Sequence, residues 1–435
     1  MGSTREVLQK KSKTASPGKA KWQCQSEDLS QRKYINASEA ILIDLIRKHG
    51  EFSKSDLVKH TNYSRTKITS CINSLVDKNF IVSSDDSEYT GGRRSKKFGL
   101  NRNFGLMAGV DIGANSVDLG IADFSNQLLV RYSESASVKD GPIRVLGRVC
   151  SLLEKMLQES NLRPEKLFGI GIGVPGPVDY SVGTLVSPLS MPGWDRYPIS
   201  ETVKQWFPNV NVVVDNEVNV MALGELYQGA GKGVDNLIFV KLGTGIGAGI
   251  VCGGKIYRGS NGCAGNIGHI CVDKNGPLCH CGNKGCLESV AADPAIAGRA
   301  LHAAQAGGSP ALLNYLKNGD ALRAEDVGSA SREGDRLAIE IIRESGQYIG
   351  EVLAGLVNFY NPGKIVIGAG VSNLGNLLLS SIRQTVLRRS LPWATRDLLI
   401  VFSEIGPDVG LIGAINLAMD NILTLSSNQV APIGA

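Results

Sequence analysis

Two stretches of this 435-residue chain carry the same pattern, and that duplication limits the folds open to it. Residues 107 to 135, and again 237 to 259, each read as strand, glycine-containing turn, strand, short turn, strand. A unit repeated this way predicts an α/β chain of two like halves, in which a turn at Gly113 and a turn at Gly243, Thr244, Gly245 and Gly247 face one cleft. Backbone N–H groups at such turns can cradle phosphates. Tight hairpins need glycine too, so either turn alone says little; the pair says more.

A second constraint lies between His269 and Glu288, where the chain reads HICVDKNGPLCHCGNKGCLE. Cys279, Cys281 and Cys286 fall within one tight loop, with Gly282 and Gly285 free to turn several sulfurs toward one point, and His269 supplies a fourth ligand. Three thiolates and an imidazole make a closed tetrahedral set for a structural Zn²⁺, because a catalytic zinc keeps a position open for water. The competing readings are disulfides or plain buried thiols, and His280 competes with His269 as the nitrogen ligand. An odd total of 9 Cys and the lack of a legible signal peptide weigh against disulfides. Cys24, Cys71, Cys150, Cys252, Cys263 and Cys271 are expected to be buried small hydrophobes.

The length suits about three domains. No apolar run is long enough for a bilayer, so the expectation is a soluble cytoplasmic protein with no membrane partner. Charge is uneven: residues 1 to 100 hold 19 Lys+Arg against 11 Asp+Glu, and the remainder 27 against 30. A basic front on a near-neutral body implies a polyanion-binding module, although a merely solvated basic face has the same charge.

Residues 1–33 lack periodic apolar content and are expected to be a disordered basic tail. From 34 to 100 the pattern is that of a winged helix-turn-helix. Ile41, Leu42, Leu45 and Ile46 mark one face of a helix ending at Gly50; Ser53 and Asp56 cap a short second helix; Ser64 caps a third, with Ile68, Cys71, Ile72, Leu75 and Val76 inward. The polar face of that third helix presents Arg65, Thr66 and Ser70 for base edges in a major groove. After a strand-like Phe80-Ile81-Val82, Gly91 and Gly92 lead into Arg93, Arg94, Lys96 and Lys97, a β-wing suited to phosphates. A small helical protein-interaction module is the alternative.

The paired turns point to an actin-like or hexokinase-like (ribonuclease H-like) two-lobed domain. With LGTGIGAGI, GSNGCAGNIGH and CHCGNKGCLE in hand, the chain resembles the ROK family of bacterial sugar kinases and sugar-responsive repressors over residues 104 to 425. Its winged helix places the resemblance on the repressor, xylose-repressor-like branch. The resemblance implies a sugar-binding domain over 104–435, with a small lobe of about 104–220 plus a C-terminal helix at about 411–425, and a large lobe of about 221–410. It implies a monosaccharide effector touching Ser190, Asn216, Glu217, Asn266, His269 and Glu288, operator DNA as partner, and a homodimer or higher homo-oligomer.

Three departures bear on catalysis. Kinases of the family read Asp-x-Gly-Gly-Thr at the first turn, and this chain reads Asp111-Ile112-Gly113-Ala114-Asn115. The general base is Glu217 in place of Asp, and Asn266 replaces the usual Glu. Positioning matters steeply in phosphoryl transfer. Against that, the second turn and Gly368-Ala369-Gly370 are intact. The expectation is a regulator that is not an enzyme; an ATP- and Mg²⁺-dependent sugar kinase with Glu217 as base is the rival, and a structural or interaction protein that has lost sugar binding is the third.

Overall fold

A computed structural model describes residues 35–84, 96–189, 191–317, 321–370 and 374–428. The basic tail, the wing residues Arg93 and Arg94, and Ser190 lie outside the described residues.

The first elements are α1 (Ala37–His49), β1 (Phe52–Ser53), α2 (Lys54–His60), α3 (Arg65–Asp77), β2 (Ile81–Ser84) and β3 (Lys97–Leu100), with the strands ordered β1-β3-β2 and antiparallel. Local chemistry sets the helix starts. Asn36 with Glu39, and Ser53 with Asp56, form reciprocal capping boxes, and Ser64 accepts from the Lys67 amide. Gly50, at φ 91°, ends α1. The buried stripe of α1 is Leu42, Ile43 and Ile46, whereas Ile41 is 45% exposed. Apolar spacing allowed either rotation of the helix; what covers it decided. Likewise Val76 lies at the end of α3 and is 37% exposed.

Next come β4 (Leu106–Ile112), β5 (Ser116–Asp123), β6 (Leu128–Ser135), α4 (Pro142–Glu159), β7 (Leu167–Val174), the short pair β8 (Val178–Asp179) and β9 (Thr184–Leu185), α5 (Ile199–Lys204), β10 (Asn211–Asn216) and α6 (Glu217–Gln228). The second half holds β11 (Leu237–Leu242), β12 (Ile246–Cys252), β13 (Lys255–Tyr257), α7 (Leu287–Ala291), α8 (Asp293–Gln305), α9 (Pro310–Lys317), α10 (Ala324–Arg332), α11 (Arg336–Tyr360), β14 (Lys364–Gly368), α12 (Asn376–Arg389), α13 (Pro392–Thr395), β15 (Leu399–Phe402) and α14 (Val409–Asn428).

The two sheets have one topology. Their orders are β10-β7-β4-β5-β6 and, reversed, β15-β14-β11-β12-β13: an antiparallel meander with two parallel strands added beside its first strand. This is the two-lobed α/β architecture expected of the duplicated segments. The helix α14 returns to the first sheet, over a row in which Gly109 pairs with both Gly120 and Gly171. A methyl on Gly171 would fall 2.0 Å from the Ala414 carbonyl, so only glycine admits the helix at that distance. In the second half α6 does the same: a methyl on Gly249 would lie 2.5 Å from the Val218 carbonyl. The two helices then cross each other, Gly413 against the Val220 carbonyl at 1.7 Å by the same measure.

The N-terminal core is continuous with the first lobe. Leu42, Leu57, Ile68 and Phe98 share a cluster with Met107, Phe124, Leu411, Ile415 and Ile422. Phe104 lies at the seam, its ring 4.3 Å from that of Phe80, 4.6 Å from Phe124 and 5.4 Å from Phe168. Among the described residues no helix is long and apolar enough to cross a membrane.

Candidate functional site

The C-terminal ends of β4, β10 and β11 meet at a group of charges. β10 ends at Asn216, whose side chain caps α6 by accepting from the Val218 amide at 2.9 Å and donates to the Gly176 carbonyl at 2.7 Å. Glu217 therefore opens α6 in a fixed place. Its Oε1 lies 2.5 Å from Nζ of Lys241, the side chains 10% and 15% exposed. Asp111, near the end of β4, is buried beside them, and its Oδ1 has no hydrogen-bond partner. Burial first, and then the Glu217 carboxylate, push its pKa up to about 7 against the opposing pull of Lys241. The first turn of α14 closes the group, since a methyl on Gly410 would lie 1.9 Å from Asp111 Oδ2.

The second glycine turn sits alongside. Thr244 is exposed at its tip, and Gly247 packs near Val218, a methyl there falling 3.1 Å from the Val218 side chain. Glu288, in the first turn of α7, accepts from the Ile246 amide at 2.9 Å, and a methyl on Gly245 would meet its Oε2 at 2.8 Å. The Asp293 amide donates to the Gly243 carbonyl at 2.9 Å, fixing the other side of the turn. Ala369 holds φ 73°, a left-handed conformation that a Cβ disfavours, and its methyl faces Gly243.

His269 ends a 3-10 turn begun at Ile267, beside Glu288. The possible ligand atoms of His269, Cys279, Cys281 and Cys286 all lie within 4.8 Å of one another, with His269 Nδ1 and Cys279 Sγ 3.6 Å apart and the sulfurs of Cys281 and Cys286 also 3.6 Å apart. Zn–S bonds of about 2.3 Å in a tetrahedron put ligand atoms roughly 3.8 Å apart, so the donor set fits zinc in chemistry and in spacing. Among the described residues His280 is exposed and stands outside this group. Asn266 precedes the turn with an exposed side chain whose amide donates to the Cys263 carbonyl at 3.1 Å. The other cysteines divide: Cys71 and Cys150 are buried as expected, whereas Cys252, Cys263 and Cys271 are exposed because they fall at hairpin and loop positions that face solvent.

On the N-terminal part, Arg65, Thr66 and Ser70 are exposed on one face of α3, with Asn73 beyond them. Lys96 is exposed and Lys97 half-buried in β3. Arg65, Thr66 and Ser70 lie on α3 and Lys96 and Lys97 at the start of β3, on elements separate from those that build the cleft.

Lys241 is the site residue that sequence reasoning missed. Its signal was a lone charge in the apolar run Leu237–Leu242, since a lysine in a buried strand needs a partner. Asp215 shows the same logic, buried and bound by Arg258 at 2.7 Å, with that guanidinium stacked 3.7 Å over Tyr180.

The chain belongs to the ROK family, whose family model matches residues 107–421. It is 27% identical over 392 residues to the xylose repressor of Caldicellulosiruptor bescii, covering 90% of this chain and 97% of that protein. It is 35% identical over 307 residues to a glucokinase of Halalkalibacterium halodurans, covering 70% of this chain and 92% of that one. Among solved structures, a ROK family transcriptional regulator described as a homolog of the Escherichia coli MLC protein superposes with a TM-score of 0.75 at 27% identity, over 90% of this chain and 98% of that chain.

Proposed function

We propose that this chain is a sugar-responsive bacterial transcriptional regulator acting as a repressor. It binds operator DNA through residues 34–100, with Arg65, Thr66 and Ser70 at base edges and Arg93, Arg94, Lys96 and Lys97 on phosphates. It binds a monosaccharide in the cleft of the 104–435 domain through Ser190, Asn216, Glu217, Asn266, His269 and Glu288, and works as a homodimer or higher homo-oligomer. Two similarities support the reading: a match of 392 residues to a repressor must run into the first hundred residues, and the 0.75 TM-score is to a regulator.

The Lys241–Glu217 ion pair carries the argument against catalysis. A general base must present a carboxylate oxygen to the sugar hydroxyl proton, and here Oε1 already holds an ammonium at 2.5 Å, so the hydroxyl has to be met by Oε2 or in competition with Lys241. Ala114 and Asn115 stand where a kinase of this family has glycine and threonine, which weakens the first phosphate turn further. The residues at 269, 279, 281 and 286 would hold zinc; when bound, it supplies a rigid tetrahedral brace. That brace keeps His269 and Glu288 at the sugar face, a supporting role. The rival, an ATP-dependent sugar kinase, has in its favour the 35% identity to a glucokinase and the intact turn at Gly243, Thr244, Gly245 and Gly247.

One assay separates the two. The purified chain is incubated with radiolabelled ATP, Mg²⁺ and D-xylose, D-glucose or N-acetylglucosamine, and its melting temperature is followed with each sugar. The regulator reading predicts a sugar-dependent rise in melting temperature with no labelled sugar phosphate. Turnover at enzymatic rates supports the kinase, and no thermal shift with any sugar counts against both.

A further inference from the structure

The interface between the two lobes is made by two helices, α6 on the second sheet and α14 on the first, locked at the crossing where Gly413 meets the Val220 carbonyl. Each helix has one end in the cleft. Glu217 is the first residue of α6, and Gly410 in the first turn of α14 abuts Asp111. Ten residues further on, about 15 Å along each axis, lie Tyr227 and Asp420.

Between those far ends sits Arg47, from the last turn of α1. Its side chain is 1% exposed. Nε and Nη2 donate to Asn416 Oδ1 at 3.2 and 2.8 Å, Nη2 also to the Asn416 carbonyl at 2.9 Å, and Nη1 to Asp420 Oδ1 at 2.5 Å. The guanidinium lies 3.8 Å over the ring of Tyr227, whose hydroxyl bonds Asp420 at 3.0 Å and Asp44 of α1 at 3.2 Å. One residue on, Lys48 pairs with Asp44 at 2.8 Å and lies against the β12–β13 hairpin, where a methyl on Gly254 would come 3.3 Å from its Nζ. The last turn of α1 therefore touches both lobe-interface helices and the second lobe at once.

Resting on the regulatory reading above, we propose that Arg47 is the relay by which a sugar in the cleft sets the posture of the DNA-binding domain. The helices are stiff and pivot at the glycine crossing, so a ligand that draws Glu217 at one end shifts Tyr227 against Asn416 and Asp420 at the other. A buried guanidinium tolerates that shift poorly, because each donor left without an acceptor is costly. The junction thus holds one arrangement or gives way to another, carrying α1 and its helix-turn-helix with it.

The test uses the full chain, D-xylose, D-glucose and N-acetylglucosamine as probes, and the tightest duplex that the wild type selects from random-sequence DNA. Duplex affinity is measured by fluorescence anisotropy with and without each sugar, for wild type and Arg47→Lys. In the wild type a sugar that binds is expected to move duplex affinity some five- to hundredfold. In Arg47→Lys, sugar binding by calorimetry is expected within threefold of wild type while the effect on the duplex falls below twofold. Hydrogen exchange on the wild type gives a readout that needs no variant: the sugar is expected to change protection at residues 44–49 and 416–421. A full sugar response in Arg47→Lys, or a wild-type response with unchanged exchange in both segments, overturns the relay alone. A wild-type chain that binds sugar and selects a duplex, yet shows no coupling between them, overturns the regulatory reading and the relay with it.

Discussion

In the first half of the duplicated domain the turn after β4 reads Gly113-Ala114-Asn115 and follows a buried Asp111 oxygen that has no partner. In the second half the turn after β11 keeps Gly243, Gly245 and Gly247, and two charged side chains beside it are engaged: Lys241 with Glu217, Glu288 with the Ile246 amide. The strand orders are the same and the fates of the turns are not. What both halves retain is the glycine beneath a crossing helix, Gly171 under α14 and Gly249 under α6, where a methyl would strike a carbonyl oxygen at 2.0 and 2.5 Å. Close helix-on-sheet packing constrains the architecture, while the chemistry at the turns is free to diverge.

The largest effect expected from breaking this comparison lies in the second half alone. Cys286→Ser should abolish bound zinc and lower stability by several kcal/mol, since structural zinc sites contribute up to about 10–16 kcal/mol in small domains. Elemental analysis and a denaturant titration check it; a variant that keeps stoichiometric zinc shows the four-residue set to be wrong.

The next concerns the first half. Asp111 has a folded pKa of about 7 against a usual value of 3.8, so the stability its protonated form confers is complete below about pH 4, declines as pH rises, and is gone above about pH 7. At about 1.4 kcal/mol per pH unit this amounts to about 4 kcal/mol at most. Asp111→Asn should flatten that slope, so that the variant gains on the wild type between pH 5 and pH 8. Parallel slopes in urea titrations at the two pH values would contradict the assignment.

A smaller pair sharpens the contrast between scaffold and turn. Gly171→Ala and Gly249→Ala should each cost about 1–3 kcal/mol or more through overpacking against backbone. Gly243→Ala, whose methyl meets nothing closer than 3.8 Å, should cost under about 1 kcal/mol. Thermal melts of the three variants rank them, and equal losses would mean the turn glycine is held by the fold as firmly as the others.

Much of this was legible beforehand, for identifiable reasons. Gly50, Ser53 and Ser64 announce helix ends because capping is local, and the metal set is local too, three of its four residues lying within eight positions. The rotation of α1 was not legible, since Ile41 and Ile43 are interchangeable until α14 covers one face. Arg47 reads in sequence as an ordinary last-turn cation. Only the return of α14, more than 360 residues later, makes it the buried partner of Asn416 and Asp420. Lys241 escaped for the same reason, its partner Glu217 opening α6 beyond the end of a strand in the other sheet.

On the DNA side, Arg65→Ala should relax base preference at one operator position by about 1–3 kcal/mol if the side chain makes a bidentate base contact. Competition binding with singly substituted duplexes reads this directly, and uniform weakening across all sequences would reassign Arg65 to a phosphate.

The most direct test of the central claim is anisotropy of a selected operator duplex, titrated with wild type and Glu217→Gln in the presence and absence of a sugar that stabilises the wild type, with no nucleotide present. The regulatory account predicts that sugar shifts wild-type affinity at least fivefold, and that Glu217→Gln binds the duplex nearly as the wild type does but no longer responds. A wild-type affinity indifferent to sugar, or a Glu217→Gln variant that responds normally, would contradict it.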